Sequence, residues 1–214
     1  MRFSDRIDDF CLYFLIDFMH SDNHFKATIT SEEINDLPLR AFEGKIVVID
    51  TEDQVKKAFE EINKHGAVGF DTETRPVFVR GHSHPVALMQ IALPQKVFLI
   101  RLKHTGIPPE IIDFLQNEDI LKVGVALRDD IKALQRIKRF KPNGIFELTE
   151  LTKKSGIEAE GLKKLAALVL GFRISKSAQT SNWDADNLNE KQTLYAATDA
   201  WVCLEVYRKL KLSS

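Results

Sequence analysis

Three apolar stretches of strand length follow one another between residues 67 and 101 with almost no helical pattern between them. No other feature restricts the fold as much. Ala67 to Phe70 begins the first stretch, Val86 to Leu93 forms the second and Lys96 to Arg101 the third, with Pro94 and Gln95 as the turn between the last two. Strands joined this closely predict an antiparallel meander. Upstream, Ile46 to Ile49 is a short buried strand, and Asp53 to Lys64 carries Val55, Phe59 and Ile62 on one helical face. Downstream the pattern alternates: a helix over Pro109 to Asn117, a strand over Leu121 to Val125, a helix over Asp129 to Phe140, then short helices around Leu162 to Leu170 and from Leu188 to the end. A meander followed by alternating helix and strand predicts an α/β fold, a mixed sheet flanked by helices.

At 214 residues the chain has room for one domain, or one domain with an arm. Its 44% hydrophobic and 29% charged residues exclude disordered and fibrous classes. The regular pattern starts at Gly44, so residues 44–214 are expected to be the domain and residues 1–43 an N-terminal arm or extension. Within the arm, Asp9 to Phe18 reads as a short docking helix or an upstream extension. Ser31-Glu32-Glu33-Ile34 opens like a helix cap, and Leu37-Pro38-Leu39 ends that helix. The apolar run Phe10 to Phe18 is too short to span a bilayer and lacks a small-residue cleavage site. Cys11 and Cys203 lie far apart and match no zinc spacing. The expectation is a cytoplasmic protein with no membrane association and a buried free thiol. The formal net charge is −1. Proteins that grip a long duplex by its phosphates carry a basic excess, so nucleic-acid contact here should be local and assisted by metal ions.

The chemistry-bearing residues are acids at element ends. Val68-Gly69-Phe70-Asp71-Thr72-Glu73 is an apolar strand closing on two acids one residue apart. Side chains alternate along a strand, so Asp71 and Glu73 face the same side. Two such carboxylates repel, and a divalent ion that prefers hard oxygen ligands removes the conflict. A polar strand end facing solvent describes the same three residues. Ile46 to Ile49 followed by Asp50-Thr51-Glu52 repeats the arrangement, but there the acids run into a helix, where Asp50 or Thr51 serves as its cap. Asp71-Thr72-Glu73 precedes Arg75-Pro76 and a loop through Gly81, with no helix to cap. A third acid follows Val123-Gly124-Val125-Ala126-Leu127-Arg128, where a strand runs into a helix. Capping accounts for Asp129, and Asp130 is placed to point back across the strand ends; position alone does not separate them. The fourth is in Leu194-Tyr195-Ala196-Ala197-Thr198-Asp199, where Tyr195 and Asp199 share a helix face. A phenol beside an acid can orient a water; packing of Tyr195 and solvation of Asp199 is the plainer reading.

Taken in order, Asp71, Glu73, Asp130 and Asp199, with Tyr195 four residues before the last, resemble the DEDD superfamily of 3′–5′ exonucleases, tyrosine subtype. Within it, the sequence is similar to the Werner-syndrome exonuclease and ribonuclease D catalytic domains. The resemblance rests on Phe70-Asp71-Thr72-Glu73, Val86-Ala87-Leu88-Met89-Gln90-Ile91, Val123-Gly124-Val125 through Asp130, Ser181-Asn182-Trp183 and Leu194 to Ala200. It spans about residues 44 to 212. It implies a ribonuclease-H-like sheet and a metal-dependent exonuclease that releases nucleoside 5′-monophosphates from the 3′ end of a single strand or duplex. By the same resemblance Asp71, Glu73 and Asp199 hold one Mg2+ or Mn2+ ion, Asp71 also reaches a second, Asp130 acts on that second ion, and Tyr195 helps place the attacking water. Aligning the glycine-containing strand selects Asp130 over Asp129. The residue before the tyrosine is Leu194, where the histidine subtype has His, so the tyrosine subtype is the better match. Two ions about 3.5–4 Å apart stabilise the attacking and leaving oxygens of an in-line displacement.

Other features carry less. Gly81-His82-Ser83-His84 has metal-like spacing but no third ligand nearby, and reads as a loop beside the site. Lys132, Arg136 and Arg139 fall at helical spacing and fit a phosphate backbone or a solvated face equally. Phe140, Phe172 and Trp183 are of the type that stacks on bases in single-strand binders, with core packing as the default reading. The chain ends soon after Asp199, so a free-standing catalytic domain that depends on a partner protein for targeting is expected. Two rival readings remain. A silent nucleic-acid-binding module of the same fold would not need all four acids and Tyr195, and an endonuclease on a related sheet would ignore a blocked 3′ end.

Overall fold

The computed structural model of the chain describes residues 25–77 and 84–212. The expected helix over Asp9 to Phe18 and the Gly81-His82-Ser83 part of the histidine loop lie outside these residues. The sheet has six strands: β1 (Lys45–Ile49), β2 (Ala67–Thr74), β3 (Val86–Leu93), β4 (Lys96–Arg101), β5 (Leu121–Gly124) and β6 (Ile145–Glu147). Their spatial order is β1-β4-β3-β2-β5-β6. β2, β3 and β4 form the antiparallel meander, while β1 joins β4, β5 joins β2 and β6 joins β5, each in parallel. An antiparallel centre with parallel edges is the mixed sheet that the sequence pattern predicts.

The helices are α1 (Ser31–Asp36), α2 (Glu52–Ile62), α3 (Leu102–Thr105), α4 (Pro109–Gln116), α5 (Leu127–Ile137), α6 (Leu148–Lys154), α7 (Leu162–Leu165), which continues as a π turn over Ala166–Leu170, and α8 (Glu190–Leu212). One face of the sheet, through Val68, Phe70, Met89 and Ile91, packs on Phe59 of α2, Phe114 of α4 and Ile131 of α5. On the other face α8 lies across Leu88, Ala92 and Leu99, and beyond it β5, α6 and α7 close a third cluster around Val123, Leu148, Leu165 and Val202. Burying one such side chain is worth roughly 1.5–3 kcal/mol. Packing on both faces therefore leaves β2 one register, which turns Val68 and Phe70 toward α4 and Asp71 and Glu73 toward α8.

Several boundaries differ from the sequence pattern for identifiable reasons. α1 is capped by Thr30 rather than Ser31: the Thr30 hydroxyl accepts from Glu33 N–H at 3.2 Å and Thr30 N–H donates to the Glu33 carboxylate at 2.8 Å. α5 starts at Leu127, not Asp129, because Glu147 caps it from outside. The Glu147 carboxylate accepts from the N–H groups of Ala126 and Leu127, both at 3.0 Å, and Ala126 takes a left-handed φ of 61° at the cap. Asp129 is thus not a cap; its side chain is 88% exposed and pairs with Lys132 at 3.4 Å. β6, α3 and α6 were not anticipated, since three to seven residues are too short to display a period.

The described part of the N-terminal segment is bonded to the body. Glu158 N–H donates to Ala27 carbonyl, Arg173 N–H to Pro38 carbonyl and Arg40 N–H to Arg173 carbonyl, all at 2.9 Å. Phe42 N–H donates to the Thr198 hydroxyl at 3.1 Å. Among the described residues, no helix is long and apolar enough to cross a membrane.

Candidate active site

The site lies where the end of β2 meets the middle of α8. α8 can approach because β2 has glycine at position 69: a Cβ there would overlap the Ala200 carbonyl oxygen. This close approach sets Asp199, one residue earlier on α8, beside Asp71 and Glu73. Asp71, Glu73 and Asp199 each offer a carboxylate oxygen, and these oxygens all lie within 4.8 Å of one another. A bulge between Glu73 and Thr74 ends the regular pairing of β2 with β3 at this point. Asp71 is braced by its neighbour, since Thr72 N–H donates to Asp71 Oδ1 at 2.9 Å.

Asp130, in the first turn of α5, is held outside this group. Thr72 alternates to the opposite side from Asp71 and Glu73, and its hydroxyl donates to Asp130 Oδ1 at 2.5 Å. Asp130 is nevertheless close enough to raise the pKa of both Asp71 and Glu73. The structure thus brings together three of the four acids singled out in the sequence and ties the fourth to the same strand end through Thr72.

The electrostatics are those of buried acids crowded together. Burial, with the neighbouring acids adding to it, pushes Asp71 well above the usual carboxylate range and Glu73 up to about 9. Burial raises Asp199 to about 7, opposed by a hydrogen bond from Tyr195 and by the charge of Lys176. Burial raises Asp130 to about 6, opposed by its bond from Thr72. Among the described residues none of the four acids takes part in an ion pair, and Asp199 Oδ1 is buried without a hydrogen-bond partner. Acidic oxygens converging from two elements, one of them orphaned, fit a hard divalent cation.

Tyr195 is directed at Asp199 and rests its ring on Trp183, with centroids 5.9 Å apart. Burial and then Asp199 drive the phenol further from ionisation, so it stays a neutral donor. Trp183 is 1% exposed and belongs to the core, whereas Phe172, which stacks on Trp201 with an interplanar angle of 10°, and Phe140 are partly buried and pack against it. Of the basic stretch, Lys132 is engaged by Asp129 and Lys138 donates to Ile107 carbonyl at 3.0 Å. The upstream Asp50-Thr51-Glu52 is structural: Thr51 caps α2, and Asp50 pairs with Arg101 at 3.2 Å.

Sequence reasoning missed three residues. In the sequence Thr72 is a spacer between two acids, Lys176 belongs to no motif, and Gln90 sits in an apolar strand without an evident role. Gln90 is fully buried, lies directly across from Asp71 on β3, and has no partner for either amide atom among the described residues. An amide inside an otherwise apolar strand is a signal that could have drawn attention to it.

Comparison with known proteins agrees with this geometry. The profile of a family described as 3′–5′ exonuclease matches residues 46–213. The bifunctional 3′–5′ exonuclease/ATP-dependent helicase WRN of Mus musculus is 32% identical over 196 residues, covering 86% of this chain and 14% of that protein. Exonuclease 3′–5′ domain-containing protein 2 of Mus musculus is 33% identical over 187 residues, 80% of this chain and 28% of its own length. The chain therefore spans less than a third of either relative. In fold, it is similar to the Nibbler EXO domain of Aedes aegypti, with a TM-score of 0.73 at 24% identity over 82% of this chain and 91% of that one. It is also similar to Escherichia coli RNase D, with a TM-score of 0.71 at 23% identity over 79% and 45%. With this profile covering the sheet, both acid-bearing strand ends and α8, the chain belongs to the 3′–5′ exonuclease family.

Proposed function

We propose that the chain hydrolyses phosphodiester bonds of a DNA or RNA strand from its 3′ end and releases nucleoside 5′-monophosphates. The observation that carries this reading is the group of Asp71, Glu73 and Asp199 oxygens within 4.8 Å, with no ion pair to them among the described residues and Asp199 Oδ1 without a hydrogen-bond partner there. Asp71, Glu73 and Asp199 would hold one divalent ion, and Asp130, with Asp71, a second. Bound there, Mg2+ or Mn2+ would supply the positive charge that stabilises the attacking and leaving oxygens during in-line displacement.

The side chains have separable duties. Thr72 holds Asp130 at a fixed angle to the end of β2, so the two halves of the acidic site keep their spacing. Tyr195, kept neutral by its surroundings, offers its hydroxyl beside Asp199, where it can orient a water for attack on the terminal phosphodiester. No covalent protein intermediate is needed.

The test is a 5′-labelled strand, run as DNA and as RNA with Mg2+ or Mn2+. We expect a ladder shortening from the 3′ end, stopped by EDTA and absent from the Asp71→Asn protein. Undiminished shortening by Asp71→Asn would contradict the proposal. A silent binding module would retain the strand in a gel shift without trimming it, and an endonuclease would cut a strand whose 3′ end is blocked.

A further inference from the structure

We propose that the segment at residues 25–43, which lies outside the matched residues 46–213, forms one wall of a cationic groove that grips the phosphate backbone of the strand entering the site; this rests on the nuclease reading above. A cavity of about 420 Å³ opens beside the carboxylates, with Tyr195 and Asp199 in its lining. Its volume falls within the roughly 300–1,000 Å³ typical of ligand pockets, which suits a nucleotide-sized portion of a single strand. The bare Asp199 Oδ1 belongs to a residue 8% exposed that lines this cavity.

The lining comes from distant parts of the chain: Lys163 and Lys164 of α7 and Lys176 after the π turn contribute to it, and so do Ser31 and Ile34 of α1. Ile34 is buried at 3% exposure and anchors α1, and the Ala27 and Pro38 carbonyls tie the segment down on either side of it. Among the described residues none of the three lysines has an ion-pair partner. Two acids, Glu160 and Asp199, also line the cavity, and among the described residues its three lysines outnumber them. A smaller cavity of about 110 Å³ shares Ser175 and Tyr195 with the first and is lined by Arg40 and Lys191, so the same N-terminal segment extends the positive track past Tyr195.

The chemistry selects the partner. The protein is nearly neutral overall, yet unpaired cations gather where the groove meets the acidic centre. Tyr195 is the only described aromatic residue lining either cavity, so base stacking has little to work with and the grip falls on phosphates. A single strand held in this way binds without regard to base identity, and its affinity falls with salt.

The experiment reads binding apart from hydrolysis. Anisotropy of a fluorescein-labelled oligothymidylate is measured in EDTA, where trimming stops, across a salt series. Ser31→Glu adds an acid to the first turn of α1, which suits that helix electrostatically, so the fold is retained while phosphates are repelled. We expect Ser31→Glu to weaken binding and Ser31→Lys to strengthen it. Lys57→Glu, an exposed change on α2 at the other face of the sheet, should leave binding unchanged. The Lys163→Ala/Lys164→Ala protein should lose about 1.4 from the slope of log affinity against log salt, at about 0.7 per single-strand phosphate contact. Ser31→Glu and Ser31→Lys shifting affinity in the same direction, or neither exceeding Lys57→Glu, would overturn the proposal. Failure of the metal-dependent ladder alone would instead remove the nuclease reading and leave the groove standing.

Discussion

Thr72 shows how much a single side chain contributes that its position in a motif does not reveal. Between Asp71 and Glu73 it reads as a spacer, yet its hydroxyl faces the other way and fixes Asp130, 58 residues on. Replacing such an orienting partner costs roughly 10–100-fold in activity or metal affinity. Thr72→Val keeps the strand-compatible shape and removes only the hydroxyl, so kcat should fall by that order while the fold persists. The bond also lowers the Asp130 pKa, so its loss should move the acid limb of the pH–rate profile to higher pH. A profile that drops in height without moving would show that Thr72 does not act through Asp130.

At the scale of elements, the sequence was most informative where a pattern repeats and least where two elements meet. The meander was legible because Val86 to Leu93 and Lys96 to Arg101 are apolar runs separated by Pro94 and Gln95. The Asp50-Thr51-Glu52 copy could be set aside because a helix follows it, and Thr51 does cap that helix. The start of α5 was misjudged because its cap is Glu147, which reaches Ala126 from 21 residues away. β6, which positions Glu147, is too short to announce itself. The order of the acids was legible, but their convergence depends on Gly69 admitting the backbone of α8, a close approach that no local pattern records. Overpacking of this kind typically costs about 1–3 kcal/mol. Gly69→Ala should therefore lower stability by at least that amount in denaturant titration. Activity should fall further than stability alone explains, because α8 must move and Asp199 moves with it.

For the whole molecule, an acidic cluster without a cation is a destabilising load whose sign can be worked out. Burial and mutual repulsion raise the folded pKa values to about 6 for Asp130, about 7 for Asp199 and about 9 for Glu73. Between the ordinary carboxylate range and these values the folded chain binds more protons than the unfolded one, so stability falls as pH rises. The metal-free protein should be most stable near the ordinary carboxylate pKa and lose melting temperature progressively through pH 6, 7 and 9. Mg2+ or Mn2+ should restore it, with an increment that grows with pH. Asp71→Asn removes one of the repelling groups and should flatten the loss without metal. A melting temperature that rises over the same interval in EDTA would mean that other groups dominate.

The most direct measurement is a manganese titration of the metal-free protein at neutral pH, followed by electron paramagnetic resonance of the free ion. We expect saturable binding by the wild-type chain, with the tightest binding lost in both Asp71→Asn and Asp199→Asn because the two acids come from β2 and α8 to share one ion. Equal binding by the wild type and both variants would contradict it, since the oxygens gathered at the end of β2 would then not be where the ion goes.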